Sequence, residues 1–503
     1  MAPIRTASKS LPHITFFREA PFMPLTQAFA VPHPPLIIPQ VGQGREKAIQ
    51  ATIDAYDAVG KAIAQDAPDT VVISSPHAPL YGDYLQISTG EGAYGSFASF
   101  GAPQVTASID YDQEMVSTLC DAAQAAGLAA GPLGRQNPEL DHATLIPVYF
   151  IQKHWPANKP APRYVRLSLS GLSPKDHYRL GELVRQAAQE LDRSMVFVAS
   201  GDLSHKLADE GPYGFAPEGP EFDALVCESF ESADFLRLLL VSPDFAERAG
   251  ECGLRSFQIM AGALDATPLD ASLMSYEGPY GVGYAVASFT PDGSAGSAPE
   301  RAFGKDYDTA RRAELEDIAA HEDTYCALAR LSLESAVRGQ GAPSDAAAQA
   351  IVAAKDASQA SLEALELPGA CFVSLKKDGR LRGCIGTLSP VQPNLAAEIM
   401  ANAISAALHD PRFSPVTPEE LPELIYDVDV LSQPEPVSST LELDCTRYGV
   451  IVSTSDGRRG VLLPDLAGVD SVDEQLSIAA SKGGIDLSRD RVSIQRFQVV
   501  RHV

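Results

Sequence analysis

Between residues 27 and about 290 the chain alternates short runs of β-branched and small apolar residues with longer stretches rich in Ala, Leu and Glu. Strands are predicted over 28–32, 70–75, 84–88, 164–169, 195–200 and 282–289, and helices over 45–65, 112–127, 175–192, 221–230, 232–240 and 252–265. Alternation of this kind argues for an α/β layered domain with a largely buried central sheet flanked by helices. The Gly-Pro-Tyr-Gly stretch at 278–281 predicts a turn into a closing hairpin or edge strand.

The pattern then changes. Residues 291–308 are small, polar and Pro/Gly-containing, which predicts a linker. Beyond it, helices are expected over 309–337, 343–364 and 393–408, with strands on either side of a Lys-Lys-Asp-Gly turn, a strand over 424–431 and a hairpin around Asp456-Gly457. These elements predict a smaller α+β domain over 309–503, following a first domain over 23–290. Residues 1–22 lack a continuous apolar segment and read as a disordered extension rather than a signal peptide, with Met23 as a candidate alternative start.

Bulk properties narrow the function. With 503 residues the chain exceeds one hydrophobic core. A formal charge of −26 opposes binding to nucleic acid or to an anionic membrane surface. Seven dispersed cysteines without a Cys-x-x-Cys pair fit reduced thiols in the cytoplasm and offer no zinc knuckle.

Candidate chemistry gathers at strand ends. "VPHPP" places His33, and "SPHAP" places His77, where predicted strands leave the sheet, and the flanking prolines stiffen the backbone that carries each imidazole. Open α/β sheets collect ligands at such ends. Two neutral imidazoles and one carboxylate form the facial set that holds Fe(II) with positions left open. Glu251 and Cys252 stand side by side before a predicted helix; Glu251 is the harder donor, Cys252 the softer one, and an acid there is also favoured simply by the helix dipole. His205 in "SGDLSH" and His142 in "DHATLIP" are candidate acid/base groups. Tyr81, Tyr84 and Tyr213 lie on loops that would wall a pocket.

Taken in order, "VPHPP", "SPHAP", "DHATLIP" and "SGDLSH" resemble the motifs of the LigB-type (class III) extradiol dioxygenases and of their Memo relatives, over about residues 25–290; Ala143 stands where the family's Asp-His-Gly segment has glycine. The resemblance implies His33, His77 and Glu251 as ligands of Fe(II), His205 as the acid/base residue and His142 facing the substrate hydroxyls. It implies cleavage of a catechol-type aromatic diol with dioxygen, and a possible homo-oligomer. Memo relatives carry a metal-facing cysteine in a Cys-Gly segment, a reading that "CGLRS" leaves open for Cys252.

In the second domain "LRGCIGT" and "HDPRF" resemble the AMMECR family over about residues 310–503. Gly383 and Gly386 flank Cys384, permitting close backbone approach, and Arg382 adds a cation; Arg382 and Cys384 are the ligand candidates here, although a small buried cysteine is the plainer reading. Memo-like and AMMECR-like modules associate with a radical SAM protein, so the pairing implies such a partner.

Overall fold

The computed structural model describes residues 23–292, 297–341, 343–355, 359–466 and 468–503. The expected extension over 1–22 therefore lies outside the described residues. The chain divides into two compact units, Met1–Asp308 and Thr309–Val503.

The N-terminal unit runs β1 (Leu25–Val31), α1 (Gln50–Asp66), β2 (Thr70–Ser75), β3 (Gly92–Phe97), β4 (Ala102–Asp110), α2 (Gln113–Ala125), α3 (His142–His154), β5 (Arg163–Ser168), α4 (Pro174–Glu190), β6 (Met195–Ser200), α5 (Glu218–Ser232), α6 (Leu254–Ala263), β7 (Leu269–Glu277), β8 (Tyr284–Pro291) and α7 (Phe303–His321), which crosses into the second unit. Six strands form one sheet in the order β5-β2-β6-β1-β8-β7. The first four are parallel, whereas β8 and β7 are antiparallel.

Every residue of β2 and β6 is buried, as expected of parallel strands covered on both faces. Alternate side chains serve two cores. Val72, Phe197 and Ala30 pack on one face under α2, α4, α5 and α6, while Ile73, Val198 and Phe29 pack on the other under α1 and α3. Ser173 and Asp176 form a capping box that starts α4.

Three features depart from the pattern read along the chain. Helix α3 forms despite Pro147 in its interior, because Asp141 caps its start and eight of its side chains are buried. The β3–β4 hairpin covers the second core with Phe97 and Ile109. Within the expected linker, Phe303 and Tyr307 belong to the first core, and Arg301 donates to Thr267 and Ala233 carbonyls.

The C-terminal unit holds α8 (Thr324–Val337), β9 (Ala370–Lys377), β10 (Arg380–Gly386), α9 (Leu395–Leu408), β11 (Ile425–Leu431), β12 (Glu435–Pro436), β13 (Gly449–Thr454), β14 (Arg459–Leu462), α10 (Val472–Lys482), β15 (Val492–Phe497) and β16 (Val499–His502). Its two four-stranded sheets have the orders β10-β9-β11-β16 and β12-β15-β13-β14. The helix expected over 309–337 is broken at Asp323, whose side chain accepts the N–H groups of Tyr325 and Cys326 and starts α8. No helix among the described residues is long and apolar enough to cross a membrane.

Candidate metal centre

Three adjacent parallel strands, β1, β6 and β2, deliver His33, Asp202 with His205, and His77 at their carboxyl ends. Helix α3 begins at His142 and brings a further imidazole from above the sheet. The donor atoms of His33, His77 and His142 all lie within 4.8 Å of one another. His33 Nε2 is 3.2 Å from His77 Nε2. A separation of about 3 Å is what two ligands ~2.1 Å from one ion subtend at a right angle.

The ring of His33 is 2% exposed, its Nδ1 lies 3.2 Å from Ser200 Oγ, and its backbone N–H donates to Asp202 Oδ1 at 2.7 Å. Burial, followed by the charge of His77, holds the His33 pKa well below its ordinary value. His142 is lowered to about 3, again by burial first and then by His33 and His77. Both imidazoles are therefore neutral at physiological pH and able to donate a lone pair. Burial also raises Asp202 to about 6, against the hydrogen bond from His33. Its Oδ2 stands 3.7 Å from His33 Nε2, and because burial drives both groups toward neutrality this is a poised donor pair rather than a stable ion pair.

His142 is positioned by a buried network. Asp141 accepts from Ser75 Oγ at 2.6 Å, from Thr144 Oγ1 at 2.8 Å and from Arg166 Nη2 at 2.7 Å. Arg166, 1% exposed, also donates to the carbonyls of Asn137 and Glu139. His205 stacks on Tyr213 with ring centroids 5.4 Å apart, and its Nε2 is buried without a hydrogen-bond partner among the described residues. Phe100 and His142 make a T-shaped contact with ring centroids 5.3 Å apart.

The geometry differs from the sequence expectation at Glu251. Its carboxylate turns back to accept the N–H of Leu254 at 2.6 Å, because the unsatisfied donors at the start of α6 attract an acid there. It joins neither cluster of potential donors. Cys252 does: Sγ lies 3.6 Å from His33 Nε2, and His33, Asp202 and Cys252 form the second cluster. Burial, with Asp202 and Glu251, raises the thiol well above its ordinary pKa. The loop reaches β6 because both sides are glycine: a Cβ on Gly201 would come within 2.2 Å of Gly253 Cα. Asp202 itself was legible in "SGDLSH" but not as a donor, since only the fold reveals that it faces His33.

Elsewhere, Tyr81 and Tyr84 hydroxyls accept the backbone N–H groups of Arg135 and Leu133, so both brace their loop. In the second unit Arg382 is engaged by Glu420, with Nε–Oε1 at 2.8 Å and Nη2–Oε2 at 2.9 Å, and is not a free cation for a ligand. Cys384 is half-buried, with Ser374 Oγ donating to its sulfur at 3.3 Å.

Residues 27–287 match the family described as the catalytic LigB subunit of aromatic ring-opening dioxygenases, and residues 326–502 match the AMMECR1 family. A protein of Clostridium acetobutylicum is 37% identical over 490 residues, covering 95% of this chain and 99% of its own. A Thermotoga maritima protein is 58% identical over 132 residues, covering 26% of this chain and 75% of its own. Among solved structures, an uncharacterized protein from Pyrococcus horikoshii shares 25% identity with a TM-score of 0.31, covering 36% of this chain and 89% of its own. An uncharacterized Escherichia coli protein shares 14% identity with a TM-score of 0.33, covering 52% of this chain and 99% of its own.

Proposed function

The chain belongs to the family of the catalytic LigB subunit of aromatic ring-opening dioxygenases, here fused to an AMMECR1 domain, and from that membership we propose that its N-terminal unit is an Fe(II)-dependent enzyme cleaving a catechol-type diol with dioxygen. The observation that carries this reading is the convergence of the His33 and His77 Nε2 atoms at 3.2 Å, with His142 and His205 around them. The donor set fits a divalent transition metal: converging imidazoles, one of them on the buried His33, beside a carboxyl group and a thiol suit Fe(II) or Zn(II) better than a hard alkaline-earth ion.

His33 and His77 would hold the ion, with Cys252 or Asp202 supplying the third donor. Once bound, Fe(II) contributes Lewis acidity toward the diol oxygens and the redox partner that dioxygen requires. The protein's own part is orientation and proton handling. His205 Nε2, buried and without a hydrogen-bond partner among the described residues, accepts a hydroxyl proton from the incoming diol. His142, fixed at the start of α3 by the Asp141 and Arg166 network, hydrogen-bonds the second hydroxyl. Tyr213 and Phe100, beside His205 and His142, offer aromatic surface to the ring.

The test is oxygen uptake by anaerobically Fe(II)-loaded protein over a panel of catechols, beside His77→Ala. Uptake with a yellow ring-fission product, absent in the variant, is expected. Silence with iron bound stoichiometrically removes the oxygenase reading.

A second reading is favoured by Cys252 at the His33 vertex: a metal-binding, non-oxygenase protein acting with a radical SAM enzyme. Thiolate ligation suits softer metal chemistry. Co-purification of such an enzyme with the tagged chain, together with no oxygen uptake, selects it.

A further inference from the structure

The C-terminal unit contains a second built site, on the face of the β10-β9-β11-β16 sheet turned away from its helices. Along β9, Val373 and Leu375 enter the core against α9, while Phe372, Ser374 and Lys376 point the other way. That other face mixes Phe372 with Ser374 and Lys376, and it is roofed by β14 together with Lys482 at the end of α10. Between them lies a cavity of about 480 Å³, within the size range of small-molecule sites.

Apart from Leu381, which is exposed and lines the cavity, the "LRGCIGT" segment explains itself residue by residue except at one position. Arg382 is taken by Glu420 through Nε and Nη2 and by the Ser414 carbonyl through Nη1. Gly383 and Gly386 are required by packing, since a Cβ would come within 2.3 Å of the Ala406 carbonyl or of Phe372 Cγ. Ile385 packs on the core, and Thr387 Oγ1 donates to Glu398 at 2.6 Å. Cys384 remains. Its backbone is clamped on both sides, with its N–H donating to Asp410 Oδ2 at 2.9 Å and its carbonyl accepting from Arg412 Nη2 at 3.1 Å. Its side chain lines the cavity.

The cations in the wall are arranged for an outside anion. Arg412 is oriented by Asp410, through Nε at 2.9 Å and Nη2 at 2.6 Å. Arg501 is held by Asp429 in the same way, through Nε at 2.8 Å and Nη2 at 3.3 Å. In each guanidinium the Nη1 edge is left without a hydrogen bond among the described residues, so the group is fixed in direction while still able to donate. Lys482 adds a third cation, with no ion pair among the described residues, and Phe372, Val461 and Leu463 supply apolar wall. Lys376 is neutralised by Asp427.

We propose that this cavity binds a small organic anion, with its carboxylate or phosphate met by Arg412, Arg501 and Lys482 and its apolar body seated beside the Cys384 thiol.

The full-length protein is alkylated in parallel with iodoacetate and with iodoacetamide, and modification is mapped by mass spectrometry at Cys384, with the half-buried Cys445 as internal reference. Attraction of the charged reagent should raise the iodoacetate-to-iodoacetamide rate ratio at Cys384 roughly three- to fivefold above that at Cys445, as expected for cations at partly exposed positions. Lys482→Gln, an exposed change that breaks no ion pair among the described residues, and high salt should each bring the two ratios together. Benzoate and phenyl phosphate serve as competitors, and the stronger protection of Cys384 assigns the anionic group. Equal ratios at Cys384 and Cys445 in the unmodified protein, or protection by neither competitor, would overturn the proposal.

Discussion

Arg166 illustrates how much a single buried charge decides here. Its guanidinium is enclosed, and its partner Asp141 both caps α3 and sets the position of His142. Arg166→Met should destabilise the protein by about 3–5 kcal/mol, because the Asp141 carboxylate is left buried and uncompensated; urea denaturation gives the value. Metal content tests whether Cys252 or the Glu251 of the sequence expectation takes the third vertex. Cys252→Ser should lower bound iron at limiting Fe(II), whereas Glu251→Gln should retain iron and lose about 1 kcal/mol of stability through the weakened start of α6. An unchanged iron content in Cys252→Ser would return the vertex to Asp202 or His142. Asp223 offers a pH test away from the metal site. It is buried, accepts from the Ser204 N–H and Tyr276 hydroxyl, and is raised by burial to about 6. A raised carboxyl favours folding while protonated, so its contribution is present below the unfolded value and is lost as pH climbs through about 6. Asp223→Asn still accepts from the Ser204 N–H through its one oxygen while its amide N–H donates to the Tyr276 hydroxyl oxygen, so its stability relative to the parent should grow by roughly 1–3 kcal/mol between pH 4 and pH 8. The histidines at the centre were legible in the sequence because proline and small residues mark where strands stop. The orientation of Glu251 was not, since two adjacent residues entering a helix differ only in which way the loop turns them.

Among the elements, the loop before α6 depends on the contact between Gly201 and Gly253. Gly201→Ala drives a methyl into backbone rather than into a side chain that could swing aside. A loss of about 3 kcal/mol is expected, together with weaker metal binding, because Cys252 is carried away from His33; isothermal titration with Fe(II) under argon measures the second effect. Buried strands such as β2 and β6 could be read from unbroken apolar runs. Helix α3 could not, because Pro147 argues locally against a helix and only the cap and the sheet beneath it outweigh that signal. The β3–β4 hairpin was hidden for a different reason: "GAYGSF" is poor in strand-forming residues, and its pairing with Ala102–Asp110 is held by what it covers rather than by its own propensity.

At the scale of the whole molecule, composition began the second domain at 309, where the chain divides, but ended the first at 290. Small and polar residues around Gly293 marked a linker, but the aromatic side chains of Phe303 and Tyr307 belong to the first core. A fragment of residues 23–308 should therefore be more stable than one of 23–291, by up to about 3–6 kcal/mol for two buried aromatic groups, as read from thermal or urea unfolding of each. The wide spacing of the donors has one more consequence. His77 lies 44 residues from His33, Asp202 lies 169 away and Cys252 219 away. A chain leaving the ribosome thus presents each donor alone and has no local chelate with which to seize a metal during synthesis. If the centre holds a metal as proposed, the choice of ion would be deferred until the sheet has closed and would reflect which metals the cell leaves available to finished protein.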